Sequence, residues 1–149
     1  MESNDEQAQG NDERDEYSVS LRFFGDDLDP DEVSRLLGCS PSDSARRGDI
    51  IQRRTRSYTA PQGSWHLSTE RSADDIEPQL ITLFEQLTAD FSIWQSLTTR
   101  FQADLFCGVF HAFQSHCIEF TPRLHRILAD RNLTLVLDIY ASDGPNENA

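Results

Sequence analysis

Tyr17, Val19, Leu21 and Phe23 alternate with Ser18, Ser20 and Arg22. That period of two makes a β-strand with one apolar face turned toward a core and one polar face turned away. The strand stops at Gly25-Asp26-Asp27-Leu28-Asp29-Pro30. Asp29 is placed as a helix N-cap, Pro30 suits the first helical position, and Glu32 completes a capping-box spacing. Val33, Leu36 and Leu37 form the buried stripe of a short helix, and Gly38 ends it.

The run Gly25 to Pro30, then Leu36-Leu37-Gly38, Pro41-Ser42 and Arg47-Gly48, resembles the opening of the domain-of-unknown-function family 4279. Gly63-Ser64-Trp65 and a closing strand ending at Ile139-Tyr140 are similar to later parts of that family. The likeness covers roughly residues 17 to 141. It implies a small, chiefly bacterial protein and a type of fold. It carries no activity and no catalytic residues.

The rest of the chain supplies more strands and helices. Ser64 to Ser68 reads as a short strand. Ser72 and Asp75 make an S-x-x-D helix start, with Ile76, Leu80, Leu83, Phe84 and Leu87 at helical spacing. Pro78 is tolerated because it lies in the first turn. Trp94, Leu97 and Phe101 carry a second helical run after a break near Asp90 to Ser92. Ala103 to Phe110 reads as an inner strand covered on both faces, followed by a short partner strand, Cys117 to Phe120. Thr121 and Pro122 start another helix, with Leu124, Ile127 and Leu128 on its buried face. Leu133, Leu135, Leu137 and Ile139 alternate along a last strand.

Asp29-Pro30 and Thr121-Pro122 open two similar helices, each after a strand. The expected fold class is therefore α+β: a single compact domain over 17–141, with a largely antiparallel or mixed sheet packed by helices. A ferredoxin-like arrangement with a helical insert fits two strand-helix-strand halves. Residues 1–16 hold seven carboxylates and no large apolar side chain besides Met1, so a disordered acidic tail is expected there. Residues 142–149 read as a polar tail.

Composition narrows the functional classes. The net charge is −13, and all 13 basic residues are arginine. That balance disfavours general nucleic-acid binding and anionic membranes. No stretch approaches the ~18 apolar residues of a membrane span, and no secretory signal is visible, so a cytoplasmic location is expected. Cys39, Cys107 and Cys117 are then reduced thiols.

Residues 39–62 read as a long loop, and long loops in compact domains are commonly functional. Between Arg46 and Arg56 lie five arginines (Arg46, Arg47, Arg53, Arg54 and Arg56) and one carboxylate, Asp49, a local +4 in an acidic chain. Two readings stand. The domain's own carboxylates neutralise the loop, or the loop presents forked donors to an acidic or phosphorylated protein partner. Trp65 likewise reads either as core, its indole N–H on a carbonyl, or as a pocket wall beside the arginines.

Catalytic and metal constellations find little support. Asp27, Asp29 and Asp31 match the first ligands of a calcium loop, but Glu32 and Gly38 fall where that loop needs Gly and Glu. Cys107, His111, His116 and Cys117 are zinc-type donors at no recognised ligand spacing. There is no Gly-x-Ser-x-Gly elbow and no phosphate loop. Cys107 with His66 or His111 is the only arithmetic candidate for Cys-His chemistry. No catalytic residue, metal or cofactor is assigned. The Arg47-Gly48-Asp49 and Asn132-Leu133-Thr134 tripeptides are set aside, because both need an extracellular context. The sequence thus points to a small cytosolic binding protein, with an immunity-type inhibitor of a toxin as one form of it. An enzyme of unassigned reaction and a small-molecule sensor are the alternatives.

Overall fold

A computed structural model describes residues 14–111 and 117–141. The expected tails, 1–16 and 142–149, lie outside the described residues except for Arg14, Asp15 and Glu16. Elements run β1 (Glu16–Gly25), α1 (Pro30–Leu37), β2 (Asp43–Ala45), β3 (Ile50–Gln52), β4 (Ser57–Thr59), β5 (Gly63–Ser68), α2 (Ile76–Glu85), α3 (Phe91–Arg100), β6 (Gln102–His111), α4 (Pro122–Asp130) and β7 (Thr134–Ala141).

Five strands form one mixed sheet in the order β2-β5-β1-β6-β7. β1 is its middle strand. It pairs antiparallel with β5 and with β6, so that Leu21 lies opposite both Leu67 and Leu105. β7 joins β6 in parallel, and the crossover through α4 is the connection that parallel neighbours need. The domain is a single compact α+β unit with a mixed sheet, as the sequence implied.

The order within the sheet differs from a ferredoxin-like one, whose two halves interleave. Here β1 and β5 of the first half are neighbours, and so are β6 and β7 of the second. The halves lie side by side and meet at the β1–β6 ladder.

Alternation along the strands sets the core. Tyr17, Val19, Leu21, Phe23, Trp65, Leu67, Leu105, Cys107 and Val109 are buried against Val33, Leu37, Leu80, Leu83, Trp94, Leu97 and Leu124 of the helices. Phe23 meets Trp65 edge-on at 6.0 Å, and Phe84 meets Trp94 at 5.8 Å, the T-shaped geometry that ring quadrupoles favour. Among the described residues no helix covers the opposite face of the sheet. Arg22, Phe24, His66 and Phe106 on it are only half-buried. The expectation that β6 is covered on both faces is corrected accordingly.

Two further corrections concern the loops. Residues 39–62 contain three short strands. β2 extends the sheet from β5, with Asp43 opposite His66, while β3 and β4 pair only with each other. Three-residue strands with exposed side chains have no apolar alternation to betray them. Cys117 to Phe120 is irregular chain, not a strand. Both flanks of β6 are already taken by β1 and β7, so no edge remains for it there.

Close approach explains Gly63. A Cβ there would stand 2.5 Å from the Leu28 carbonyl oxygen and 2.9 Å from Leu28 Cβ. The acidic turn therefore packs directly onto the start of β5. Gly38 ends α1 at φ 81°, a left-handed position where glycine carries no Cβ penalty.

Candidate functional site: an arginine hairpin beside the open sheet face

The five loop arginines separate into two groups. Arg46 reaches back to α1: its Nη1 lies 2.8 Å from Asp29 Oδ1 and its Nη2 2.8 Å from Asp31 Oδ2. Its backbone N–H donates to Asp49 Oδ2 at 2.8 Å. Arg47 stands 3.9 Å from Asp26. These two arginines are neutralised by the acidic turn.

Asp29 also accepts the Asp31 N–H at 3.0 Å as the cap of α1. That backbone bond, with Arg46 beside it, holds its carboxyl below the usual range. Two of the three carboxylates that resembled calcium ligands, Asp29 and Asp31, are therefore employed in capping and ion pairing. Glu32 does not close a capping box. It takes Arg100 through two bonds of 2.9 and 3.0 Å.

Arg53, Arg54 and Arg56 form the second group. Ile50–Gln52 and Ser57–Thr59 pair as a hairpin, and the Arg53 N–H donates to the Arg56 carbonyl at 2.7 Å, closing a turn that holds all three. None of the three makes an ion pair with any described residue. Arg53 donates to the Gln52 carbonyl at 3.3 Å. Arg53 and Arg56 lie 6.0 and 5.5 Å from the ring centre of Tyr58. Tyr58 is 41 % exposed and Ile50 62 %, so the tip presents cations with apolar flanks. Ile51 is half-buried and faces a cavity of about 200 Å³, whose other walls include Phe24, Asp43, Arg53, Tyr58 and His66.

That cavity opens onto a charged row across the open face. Register places Asp43, His66, Arg22 and Asp104 side by side on β2, β5, β1 and β6. Arg22 is held by two bonds to Asp104, 2.8 and 2.7 Å. Its guanidinium also lies 4.1 Å over the Phe106 ring and 5.2 Å over that of Phe24. His66 meets Phe24 edge-on at 5.2 Å, and its Nε2 is buried without a hydrogen-bond partner. Burial pushes the His66 pKa down; Asp43 opposes that shift, Arg22 adds to it, and Asp104 opposes it.

Trp65, the remaining sequence-derived site residue, is not a pocket wall. The alternation of β5 turns it into the core, fully buried. Its Nε1–H donates to Ser34 Oγ at 3.0 Å, a hydroxyl and not a carbonyl. Its neighbours Ser64 and His66 line the cavity instead.

Cys107 and His66 lie on opposite faces of the sheet and cannot act together. Burial lifts the Cys107 thiol to about 12, which removes the thiolate a nucleophile needs. Among the described residues no group of three His, Cys, Asp or Glu side chains comes together as a metal site. His116 and the His111 side chain lie outside the described residues. A second groove, of about 680 Å³, is walled by Ile76, Pro78, Ile81 and Ile118 with Asp75, Glu77 and Glu119 at its rim. It is separate from the arginine hairpin. Among the described residues no helix is long and apolar enough to cross a membrane.

Sequence reasoning passes over Arg22, Phe24 and Asp104, and weighs His66 only as a partner for Cys107. A signal existed: charge and aromatics on the polar side of two alternating strands.

The fold and this surface define a small α+β domain with an open sheet face and a basic hairpin at its edge. A family model described as Domain of unknown function (DUF4279) matches residues 15–142, and the chain belongs to that family. No curated protein and no solved structure is significantly similar to it.

Proposed function

We propose that this is a small cytoplasmic protein-binding domain of bacterial origin that grips an acidic surface of its partner with the β3–β4 hairpin. One observation carries the reading. Arg46 and Arg47 are answered by Asp26, Asp29 and Asp31, whereas Arg53, Arg54 and Arg56 meet no carboxylate among the described residues. In a chain of charge −13, three adjacent unanswered guanidiniums are the exception to the prevailing field. Guanidinium forks bind carboxylates in pairs, and exposed Ile50 and Tyr58 add apolar area at the same tip. An immunity-type inhibitor of a toxin is one concrete form such a binder takes. The cavity beside His66 supports a second reading, a sensor of a small molecule.

A fluorescein-labelled decaglutamate peptide tests the hairpin. Its affinity for the full chain is measured by anisotropy at about 25 mM and about 300 mM salt. Binding should weaken steeply with salt, and Arg53→Ser, Arg54→Ser and Arg56→Ser together should lose it by about tenfold. Equal binding by the triple variant removes the hairpin from the reading. A strong preference for a phosphoserine peptide of equal charge assigns a phosphorylated partner.

A further inference from the structure

We infer that the β3–β4 hairpin of one copy of this chain docks in the acid-rimmed groove of a second copy, between the start of α2 and residues 117–121. This rests on the hairpin being the binding surface and names the partner it grips. The groove, of about 680 Å³, is walled by Pro78, Ile81 and Ile118 and rimmed by Asp75, Glu77 and Glu119. Among the described residues no basic side chain lines it. Arg123 and His125 stand close enough to act on the Glu77 carboxyl and offset part of the rim charge; Asp75 and Glu119 make no ion pair among the described residues.

The hairpin has the converse character. Arg53 pairs with Arg56 two steps beyond the Ile51–Tyr58 pair, so alternation sets both guanidiniums on the Tyr58 face of the ribbon, as their distances to that ring confirm. Arg54 sits in the turn, and Ile50 is exposed on the other face. The groove offers carboxylates to the guanidinium forks and an apolar wall to the tyrosine ring, and Arg and Tyr are the residue types that dominate interfaces. The net charge of −13 pushes two copies apart at long range. At about 0.15 M salt that field is screened beyond about 8 Å, whereas hairpin and groove meet within that distance.

A single chain cannot make this contact with itself. Tyr17 lines the groove and Phe24 the cavity under the hairpin. Seven residues of β1, roughly 23 Å, lie between them, and they face opposite sides of the sheet. The base of the hairpin is fixed by the Gly48 N–H on the Ala60 carbonyl and the Ala60 N–H on the Asp49 carbonyl, 2.9 and 2.7 Å. The contact is therefore head to tail: each copy gives its hairpin to one neighbour and its groove to another, in a closed ring or an open row. A hairpin tip buries little area, so the assembly is transient and concentration-dependent.

Two full-length variants test it. One carries Arg53→Ser, Arg54→Ser and Arg56→Ser. The other carries Asp75→Arg and Glu119→Arg, which leaves Glu77 and its bonds to Thr121 in place. Asp75→Asn with Glu119→Gln is a milder groove variant that should show the same loss in smaller degree. Sedimentation at about 0.15 M salt, up to about 1 mM chain, reads the mass. The parent should grow with concentration, and each variant alone should stay a single chain. An equimolar mixture of the two should form one-to-one pairs and grow no further, because it holds one intact hairpin and one intact groove per pair. In that mixture the amides of residues 50–59 should shift in the labelled groove variant, and those of 75–82 in the labelled hairpin variant. A mixture that stays as single chains overturns the inference. If decaglutamate still binds the hairpin, the binding reading survives with another partner; if it does not, both fall. Variants that each associate as the parent does place the contact elsewhere and overturn it too. So does a parent assembly that persists with decaglutamate bound at the hairpin.

Discussion

Thr121 donates both its backbone N–H and its hydroxyl to the carboxylate of Glu77, at 2.9 and 2.6 Å. Thr121 is the N-cap of α4, yet its side chain serves no cap bond of its own helix. The first turn of α2 holds the start of α4, across 44 residues. The hydroxyl and then the amide of Thr121 hold the Glu77 carboxyl below its usual range. A depressed acid contributes stability that is present above its unfolded pKa and lost as pH falls through the folded one. Glu77→Gln should therefore cost about 1 kcal/mol at pH 7, allowing for partial solvent exposure. The gap to the parent should shrink once pH drops below the ordinary glutamate value of about 4.3 and close as it falls through the lower folded value. Urea unfolding at pH 7 and well below that range measures it; a gap that persists at the acid end would show that shape, not charge, matters.

His66 titrates in the opposite chemical sense with the same consequence. Its folded pKa is lowered by burial, so the neutral ring is favoured in the folded state. The stability this contributes is complete above the unfolded value of about 6.5 and is lost as pH falls through the folded value. Melting temperature should drop between pH 7 and pH 5 in the parent chain. His66→Phe should flatten that slope and leave stability at pH 7 unchanged or higher by about 1 kcal/mol, because an unpaired buried nitrogen is removed. An unchanged slope would assign the pH response to the carboxylates instead.

The two arginine groups should respond differently to substitution. Arg46→Ala breaks pairs to Asp29 and Asp31 and should cost about 0.5 kcal/mol. The triple change of Arg53, Arg54 and Arg56 to Ser breaks no ion pair among the described residues, so the urea midpoint should stay where it is. A larger loss from the triple variant than from Arg46→Ala would make the hairpin structural.

Gln79 is the one buried polar residue among the described core. Its Nε2 donates to the Tyr17 carbonyl at 3.0 Å and to the Asp74 carbonyl at 2.8 Å, and its Oε1 accepts from Thr69 Oγ1 at 2.6 Å. It ties the start of β1 to the start of α2. Gln79→Ala strands these groups and should cost about 2–3 kcal/mol by urea unfolding. A cost near zero would mean that water replaces the amide.

Legibility followed the range of the forces. β1 and α1 could be read directly because their signals are local: alternation from Tyr17 to Phe23, a cap at Asp29, a stop at Gly38. The α2–α3 break was legible for the same reason, Asp90 accepting from the Ser92 N–H at 3.0 Å. The hairpin was not, since Ile50 to Thr59 carries no buried alternation and its pairing answers to backbone bonds alone. Strand order was hidden too, because it depends on which edges remain free once β1 has taken β5 and β6. The five arginines were visible as a group. Their division was not, because Asp29 and Asp31 meet Arg46 only after α1 turns the chain back.

The middle position of β1 has a consequence for biosynthesis. Phe23 pairs with Trp65 on one side and Ala103 on the other. A ribosome adding about 5–20 residues per second emits β1 roughly 4–16 s before β6 follows. During that interval the most apolar strand of the first half has one flank open to whatever meets it. Its protection then lies in Ser18, Ser20 and Arg22, whose polarity keeps one side of the waiting strand from sticking to a neighbour.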